Sequence, residues 1–324
     1  MRLITSAEIK QHLSMASCID VIREAVVHIT RGEIVIPDRA QLDVGPGITL
    51  IMPAFWPAKN ALTTKLISVF PNNSDLGLPT TYALLALVDT NTGNPRMLCE
   101  GSSLTALRTG ALSGVATDCL ARSDVEELTI CGAGRHARTQ LTANMCVRGF
   151  RRVNVLSRTA KSAQQLIQDV ASDHSGVEFK IAENPQRAIE SADVISCATT
   201  SAEPIFDGRW VTPGTHVNAI GAFTPTTREL DSNLIAAAEL VMDTKDGCHE
   251  EAGDYLIPLA EGRIGKDQLQ VELGSLAAGE KTVRTNDNQI TVFKSVGSAA
   301  FDVAAAYALW NVLPDNVGIE AQLD

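Results

Sequence analysis

Apolar positions recur at helical spacing near the start of the chain and at alternating spacing soon after it. Ile19, Ile22 and Val26 lie on one face of a helix predicted over residues 15–31, which ends at Gly32. Extended segments and one turn cluster then predict an antiparallel α+β block. Strands are expected at 48–52, 62–70, 83–88 and 96–99, the turn at 89–93 and a helix at 103–120.

From Leu128 onward, short apolar runs alternate with stretches that are compatible with helices. Strands are expected at 128–131, 152–156, 177–181, 193–197, 216–220 and 239–243, and helices at 135–148, 160–171, 185–191 and 230–237. Short strands joined by helical crossovers form parallel, doubly wound sheets. The pattern therefore predicts an α/β fold.

The last apolar segments are expected to return the chain to the first block. They are a strand over 291–296 and an alanine-rich helix over 299–311. One discontinuous domain, residues 1–113 with 299–324, would then surround an inserted domain of residues 114–298.

The first strand of the inserted domain ends in a glycine turn, residues 132–137, which precedes a predicted helix. Glycines let the backbone approach phosphates, and the free N–H groups at the start of a helix point at their negative charge. The order of strand, glycine turn and helix predicts a dinucleotide site in a Rossmann-type sheet. A tight strand–helix turn without a ligand is the simpler alternative.

The next strand ends in Ser157, Arg158 and Thr159, and no acidic residue follows before Asp169. Enzymes that use NAD usually place Asp or Glu there to bind the ribose 2′-hydroxyl, whereas Ser, Arg and Thr suit a 2′-phosphate. The segment favours NADP(H), with NAD(H) as the second choice. In the simpler interpretation, Arg158 is a solvated side chain.

Composition limits the partners and the compartment. The 324 residues carry a formal net charge of −11, and basic runs reach two residues at most, so neither nucleic acid nor an anionic membrane is expected as a partner. Seven cysteines without a C-x-x-C pair indicate a reducing compartment and no metal framework. Early acidic residues and the lack of an ~18-residue apolar run argue against a signal peptide and a membrane span. A cytoplasmic protein is expected.

Two cations stand in otherwise uncharged segments. Lys65 shares a strand face with Thr63 and Ile67, where it either extends to solvent at a sheet edge or faces an enclosed anion. Arg108 lies in an uncharged helix, and a buried guanidinium there needs an anionic partner. Neither has an evident protein carboxylate nearby in sequence, so both are expected to await a ligand's carboxylate. Arg39, in a loop, is a weaker candidate.

Five motifs, in order and spacing, resemble the ornithine cyclodeaminase/mu-crystallin family over essentially the whole chain. They are Lys65-Leu-Ile-Ser-Val-Phe-Pro71, Gly77-Leu-Pro-Thr80, Leu104-Thr-Ala-Leu-Arg108-Thr, Gly132-Ala-Gly134 and Phe293-Lys-Ser295-Val-Gly297. The resemblance implies a homodimer, with an outer domain that holds a small amino- or imino-acid substrate and a Rossmann domain that holds the nucleotide. It also favours the ligand-binding interpretation of Lys65.

The resemblance implies roles for individual residues through the matching motifs. Arg39, Lys65 and Arg108 would bind the substrate carboxylate, with Val296 beside the substrate, and Lys65 or a bound water would keep the substrate nitrogen protonated. Arg108 would also border the nucleotide. The remaining nucleotide positions would be Thr80, Gly132, Ala133, Gly134, Arg135, His136, Ala137, Ser157, Arg158, Thr159, Thr199, Ile220, Gly221, Ala222 and Ser295.

The chain departs from the cyclodeaminases of this family at one position. They carry an acid/base aspartate where this chain has Phe223, and a phenyl ring moves no proton. The segment is closer to the mu-crystallin and imine-reductase branch, which implies NADPH-dependent reduction of Δ1-pyrroline-2-carboxylate to L-proline or of the six-membered Δ1-piperideine-2-carboxylate. Ornithine cyclodeamination, an alanine-dehydrogenase-like reaction and an NADPH-dependent ligand carrier stay open as alternatives.

Three other acidic features have simple structural explanations. Residues 246–254 lack a second histidine at ligand spacing, so they are expected to form a solvated acidic loop and not a metal site. Glu251 could still border the substrate pocket. Asp302 is expected to cap a helix N-terminus, with lining of the active site as the alternative.

Overall fold

A computed structural model describes residues 1–322, apart from the side chain of Ser74. The chain forms two compact units. Unit 1 comprises Met1–Arg108 and the residues from Ser298 on, and unit 2 comprises Thr109–Gly297. The boundaries proposed from the sequence lie at 113/114 and 298/299. The first chain crossing falls inside a long helix that has no Gly- or Pro-rich linker, so sequence composition does not mark it.

The helices and strands of unit 1 come from both ends of the chain. Up to the crossing they are β1 (Arg2–Ile4), α1 (Ser6–His12), α2 (Met15–Thr30), β2 (Ala40–Asp43), β3 (Ile48–Trp56), β4 (Ala61–Val69), β5 (Thr81–Asp89), β6 (Pro95–Glu100) and α3 (Gly101–Leu120).

Unit 2 alternates strands and helices. These are β7 (Glu127–Cys131), α4 (Arg135–Val147), β8 (Arg152–Leu156), α5 (Ala160–Val170), β9 (Glu178–Ile181), α6 (Pro185–Glu190), β10 (Val194–Cys197), β11 (His216–Ala219), α7 (Ser232–Ala237), β12 (Ala238–Met242), α8 (Lys245–Glu251), α9 (Gly253–Ala260), α10 (Leu273–Ala277) and β13 (Ile290–Lys294). The chain then re-enters unit 1 with α11 (Ala299–Val312) and β14 (Ile319–Glu320).

Unit 1 is built on a mixed seven-stranded sheet in the order β14-β1-β6-β5-β4-β3-β2. Strands β2 to β6 are antiparallel neighbours, as the sequence predicts for β3 to β6, whereas β1 runs parallel to β6. Helix α11 packs on β3, β4 and α2. Because side chains alternate along a strand, one face of the sheet is buried under these helices and the other is turned away from them.

The second face of this sheet, here called the outer face, is apolar. Ile51, Leu66 and Leu84 are paired in register across β3, β4 and β5, and Leu42 and Tyr82 lie on the same face. These five side chains are 36–57% exposed. Exposed apolar surface of this extent is typical of an interaction site.

Unit 2 is built on a parallel seven-stranded sheet in the order β12-β13-β11-β10-β7-β8-β9. The predicted strands and crossover helices are confirmed, and together with the mixed sheet of unit 1 they confirm the α/β fold class. No helix among the described residues is long and apolar enough to cross a membrane.

One prediction about the sheets is wrong. The strand expected at 291–296 does not return to the first block but lies between β11 and β12 as the seventh strand of the parallel sheet. Its residues Thr291–Lys294 are all buried, as is typical of a central parallel strand that is covered on both faces. Only the following helix, α11, returns to unit 1.

Candidate active site

Three buried charged side chains meet inside unit 1. Alternation along β4 turns Lys65 to the buried face of the sheet, between Met52 and Leu85 on the neighbouring strands. Arg108 comes from α3 and Asp302 from the first turn of α11. Lys65 is 2% exposed, Arg108 5% and Asp302 1%.

The Asp302 carboxylate bridges the two cations. Its Oδ2 accepts a hydrogen bond from Lys65 Nζ, and its Oδ1 accepts one from Arg108 Nε at 2.9 Å. Burial would raise the pKa of Asp302, but Arg108 and Lys65 outweigh it, and the pKa lies below its ordinary value. Burial lowers the pKa of Lys65, Asp302 opposes that shift, and Arg108 and Arg39 add to it. The group therefore contains an ionised carboxylate between two buried cations.

Two sequence predictions about this cluster are wrong. Lys65 and Arg108 do have a protein carboxylate: both pair with Asp302, which lies 237 and 194 positions away from them in the chain. Asp302 also does not cap its helix: Ser298 is the N-cap residue and its side chain accepts a hydrogen bond from Ala300 N. A lone acid in an alanine-rich apolar helix is the same signal that drew attention to Arg108.

Arg39 lies in an exposed loop just before β2. It is close enough to lower the pKa of Lys65 through charge repulsion. The three cations predicted to bind a carboxylate are therefore brought into one neighbourhood of unit 1, with Lys65 and Arg108 buried and Arg39 at the surface.

In unit 2, the glycine turn connects β7 to α4 with the geometry that a dinucleotide needs. Gly132 has a φ of 114°, and a Cβ there would lie 2.5 Å from the carbonyl oxygen of Ala198, so only glycine fits. Gly134 begins α4 without a side-chain cap, and a Cβ added to it would meet open space. A free helix N-terminus beside open space fits a pyrophosphate group.

The end of β8 fits the ribose of such a nucleotide. Ser157 is half-buried and Arg158 exposed, while Thr159 accepts a hydrogen bond from Ser162 N and caps α5. Asp169, the next acidic residue in sequence, lies at the far end of α5 and pairs with Arg138. The carboxylate nearest in sequence is therefore engaged elsewhere.

A second buried charge cluster, missed by the sequence analysis, supports the loops at the carboxyl edge of the parallel sheet. Glu229 accepts hydrogen bonds from the backbone N and the hydroxyl of Thr199, at 2.7 and 2.8 Å, and from Gly221 N at 2.7 Å. Asp254 accepts from Glu229 N and pairs with Lys294 at 2.7 Å. The three charged side chains are fully buried.

Lys294 completes this second cluster. It donates a hydrogen bond to the carbonyl oxygen of Ala222 at 2.6 Å. Burial would lower the pKa of Lys294, but Asp254 and Glu229 outweigh it and the pKa is raised. For the Glu229 carboxyl, burial acts in the other direction and raises the pKa. Buried charges thus hold three residues that are expected near the nucleotide: Thr199, Gly221 and Ala222. The sequence analysis missed this cluster because Glu229 and Asp254 lie in irregular or short segments without a recognisable pattern.

The acidic segment at 246–254 is helical and partly buried, so the expected solvated loop is wrong. It forms α8 and the start of α9, and His249 Nε2 lies 3.0 Å from the carbonyl oxygen of Leu269. Glu251 is half-buried and Asp254 is inside the second cluster. Among residues 1–322, no group of three His, Cys, Asp or Glu side chains has the arrangement of a metal site.

The other predicted residues lie in three different environments. Ser295 is buried and donates to Asp243 at 2.7 Å, and the half-buried Val296 donates its backbone N to the same carboxylate. Thr80 is exposed in unit 1, and Phe223 is 51% exposed in unit 2. Ile220 is buried and directly follows β11. The remaining turn residues surround the start of α4 as expected: Ala133, Arg135, His136 and Ala137.

The fold and these features define a class: an α/β protein with a Rossmann-like parallel sheet and, in its other unit, a buried cluster of charged side chains. The sequence profile of the ornithine cyclodeaminase/mu-crystallin family matches residues 2–315. The chain belongs to this family.

Similar proteins are known in sequence and in structure. A Δ1-pyrroline-2-carboxylate reductase from Bacillus cereus is 34% identical over 322 residues, which cover 98% of each chain. The Thermococcus litoralis enzyme of the same name, solved with NADH and L-proline, is 37% identical with a TM-score of 0.93, over 99% of this chain and 100% of that one. An archaeal alanine dehydrogenase, solved as a dimer with NAD, is 30% identical with a TM-score of 0.92, over 100% and 99%. At this level, the chain is an oxidoreductase of the ornithine cyclodeaminase/mu-crystallin family, and the solved relatives bind a nicotinamide cofactor.

Proposed function

We propose that the protein is an NAD(P)H-dependent reductase of a small cyclic imino acid, with Δ1-pyrroline-2-carboxylate as the leading substrate and L-proline as the product. The observation that carries the proposal is the charge of the cluster in unit 1. Lys65 and Arg108 contribute two positive charges and Asp302 one negative charge. The remaining positive charge suits a monocarboxylate, which would be bound by charge-assisted hydrogen bonds. The reductases that the chain resembles act on such an acid.

In this proposal, the residues of unit 1 orient and protonate the substrate. Arg39, Lys65 and Arg108 hold the substrate carboxylate, and fixing that group sets the position of the C=N bond. Lys65 gives a proton to the imine nitrogen or keeps it protonated, since a protonated C=N accepts a hydride more readily. The nicotinamide cofactor, when bound, supplies the hydride to the imine carbon. The products are a secondary amine and the oxidised cofactor, and neutral Lys65 regains its proton from water.

NADP(H) is the cofactor we propose, with NAD(H) as the alternative. Arg158 is exposed at the end of β8, and Ser157 and Thr159 flank it. A guanidinium and two hydroxyls match a 2′-phosphate, whereas a ribose 2′-hydroxyl is usually bound by a carboxylate. The solved relatives named above hold NADH or NAD, so the nucleotide preference needs a direct measurement on this protein.

The outer face of the sheet supports a homodimer. We propose that a second copy of this chain covers Leu42, Ile51, Leu66, Tyr82 and Leu84, since an acidic protein of net charge −11 otherwise exposes this apolar strip. Light scattering after gel filtration should give a dimer for the wild type and for Leu76→Glu, which changes an exposed leucine outside the outer face, and a monomer for Leu66→Glu. A monomeric wild type would contradict the proposal.

The reaction itself is tested by a substrate panel followed at 340 nm with NADPH and NADH. We expect the fastest turnover with Δ1-pyrroline-2-carboxylate, less with open-chain 2-oxo acids plus ammonia, and no catalytic ammonia release from L-ornithine with NAD, because Phe223 replaces the acid/base aspartate of the cyclodeaminases. Tight NADPH binding without turnover of any imine would indicate a ligand carrier. Ammonia release at ordinary rates would indicate a cyclodeaminase.

A further inference from the structure

Asp302 has both carboxylate oxygens committed to the two cations that the proposed reaction uses. Oδ2 accepts from Lys65 on β4 and Oδ1 from Arg108 on α3, while Asp302 itself belongs to α11. One buried carboxylate therefore joins three elements that are remote in sequence. An N-cap role does not explain Asp302, because Ser298 already caps α11.

The geometry leaves donors of both cations for a ligand. Arg108 uses its Nε–H for Asp302, so its two terminal Nη groups are not engaged by this carboxylate. Lys65 makes one hydrogen bond to Asp302 with an ammonium group that has three N–H donors. Asp302 thus engages one donor of each cation.

We propose that Asp302 is a positioning residue of the reaction: it fixes Lys65 and Arg108 relative to each other and keeps Lys65 in the charged, proton-donating form. This inference deepens the proposed function and rests on it. Removing one member of a buried ion pair leaves its partner uncompensated, so the two cations depend on this single carboxylate.

The electrostatic surroundings of Lys65 make Asp302 decisive for its protonation. Burial, Arg108 and Arg39 lower the pKa of Lys65, and Asp302 opposes all three. Two thiols interact electrostatically with the cluster: Cys18 on α2 with Arg108, and Cys99 on β6 with Asp302. Burial raises the pKa of each thiol to about 12, so both stay neutral around neutral pH.

This arrangement gives a signed expectation for the variant Asp302→Asn, which keeps the shape of the side chain and removes its charge. Without the carboxylate the pKa of Lys65 falls further, so Lys65 loses its proton at a lower pH. The pH dependence of kcat/KM reports the essential groups of the free enzyme. The alkaline limb of the kcat/KM profile should therefore move to lower pH by about one unit or more, since a shift of one unit requires only a modest change in the interaction energy between Lys65 and residue 302. Titration of the imine substrate is common to all variants and cancels in the comparison.

The experiment compares four proteins with Δ1-pyrroline-2-carboxylate and NADPH: wild type, Asp302→Asn, Asp302→Glu and Asp193→Asn. We expect Asp302→Asn to raise the KM of the imine at least tenfold and to leave the dissociation constant of NADPH unchanged. Asp302→Glu, which keeps the charge, should restore most of the alkaline limb. Asp193, which pairs with Arg122 and accepts from the backbone of Glu126 and Glu127 in unit 2, is a structural control, and its variant should keep the wild-type limb.

The proposal is overturned if the alkaline limb of Asp302→Asn coincides with that of the wild type. If Asp302→Asn does not fold, the double variant Lys65→Met/Asp302→Asn removes one charge of each sign and serves instead. Adding Asp302→Asn to Lys65→Met should then leave the alkaline limb of the residual kcat/KM where Lys65→Met has it, because Lys65 no longer titrates, and a shift of one pH unit between these two variants would contradict a role exerted through Lys65. A wild type that reduces no imine would overturn the proposed function. The coupling between Lys65 and Asp302 is then measured by the urea midpoints of Lys65→Met, Asp302→Asn and the double variant. Strictly additive effects of the two substitutions would overturn the positioning role of Asp302.

Discussion

At the scale of single residues, we propose that Arg158 determines the choice between the two nicotinamide cofactors. If it binds a 2′-phosphate, Arg158→Ala should weaken NADPH by roughly 10- to 150-fold, because a charge-assisted hydrogen bond contributes ~1.5–3 kcal/mol. The affinity for NADH should change little, since NADH has no phosphate there. Dissociation constants from nicotinamide fluorescence titration check both values. Equal losses for the two nucleotides would contradict the assignment.

The same scale shows what a sequence can and cannot reveal about this site. Strand alternation places Lys65 on an apolar strand face without deciding between an enclosed anion and solvent, and an uncharged helix identifies Arg108, because both signals are local. Their partner Asp302 could not be paired with them, since the contact spans 237 and 194 positions. Helix-start position favoured a capping role for Asp302, but Ser298 takes that role.

At the scale of elements, the buried Lys294–Asp254–Glu229 cluster connects the ends of β10, β11 and β13 through Thr199 and Gly221. Turns and strand ends of this kind were predicted from the sequence, but the charges that hold them together were not. Asp254 was part of the segment 246–254 that was expected to be a solvated loop, no role was predicted for Glu229, and only the burial of both in the folded chain shows that they are structural.

We expect Lys294→Met to reduce the free energy of unfolding by about 3–5 kcal/mol, because it leaves buried carboxylates without a cation. Lys180→Met is the matched control: Lys180 pairs with Glu178 at the surface and its side chain is 50% exposed. A surface pair of this kind contributes little to stability, because water screens its charges. Urea denaturation measures both, and similar losses for the two variants would show that the cluster contributes no more than a surface pair.

At the scale of the whole molecule, the succession of apolar segments predicts the fold class and most of the strands, but not the short strands β1, β2 and β14. Strand β13 was predicted, but it was assigned to the first block together with the helix after it. Its uniformly buried residues are what a central parallel strand requires, but a short apolar run does not reveal which sheet it joins. That assignment depends on pairing with β11 and β12, which is non-local.

Acid should destabilise the protein through one buried histidine in unit 2. Burial lowers the pKa of His216 to about 3, and its ring lies against Thr291 and Asn218. The folded state stays neutral while the unfolded state takes up a proton below about pH 6.5, so stability that is present above this pH is lost as the pH falls. Relative to His216→Gln, the wild type should lose about 1.4 kcal/mol of unfolding free energy per pH unit.

Urea denaturation of both proteins between pH 6.5 and 4.5 checks this expectation. The raised pKa of Glu229 acts in the opposite direction, because its protonated form is favoured in the folded state, but that contribution is common to both proteins. Parallel pH profiles for the wild type and His216→Gln would contradict the assignment to His216.

The central claim is that a buried cation cluster binds and orients the carboxylate of an imine substrate, and the kcat/KM of Lys65→Met tests it most directly. Arg108 still neutralises Asp302 in this variant, so the fold should be kept. We expect kcat/KM for Δ1-pyrroline-2-carboxylate to fall by ~10²-fold or more, since binding and orientation both suffer, while NADPH affinity barely changes. A folded Lys65→Met protein with wild-type kcat/KM would contradict the claim.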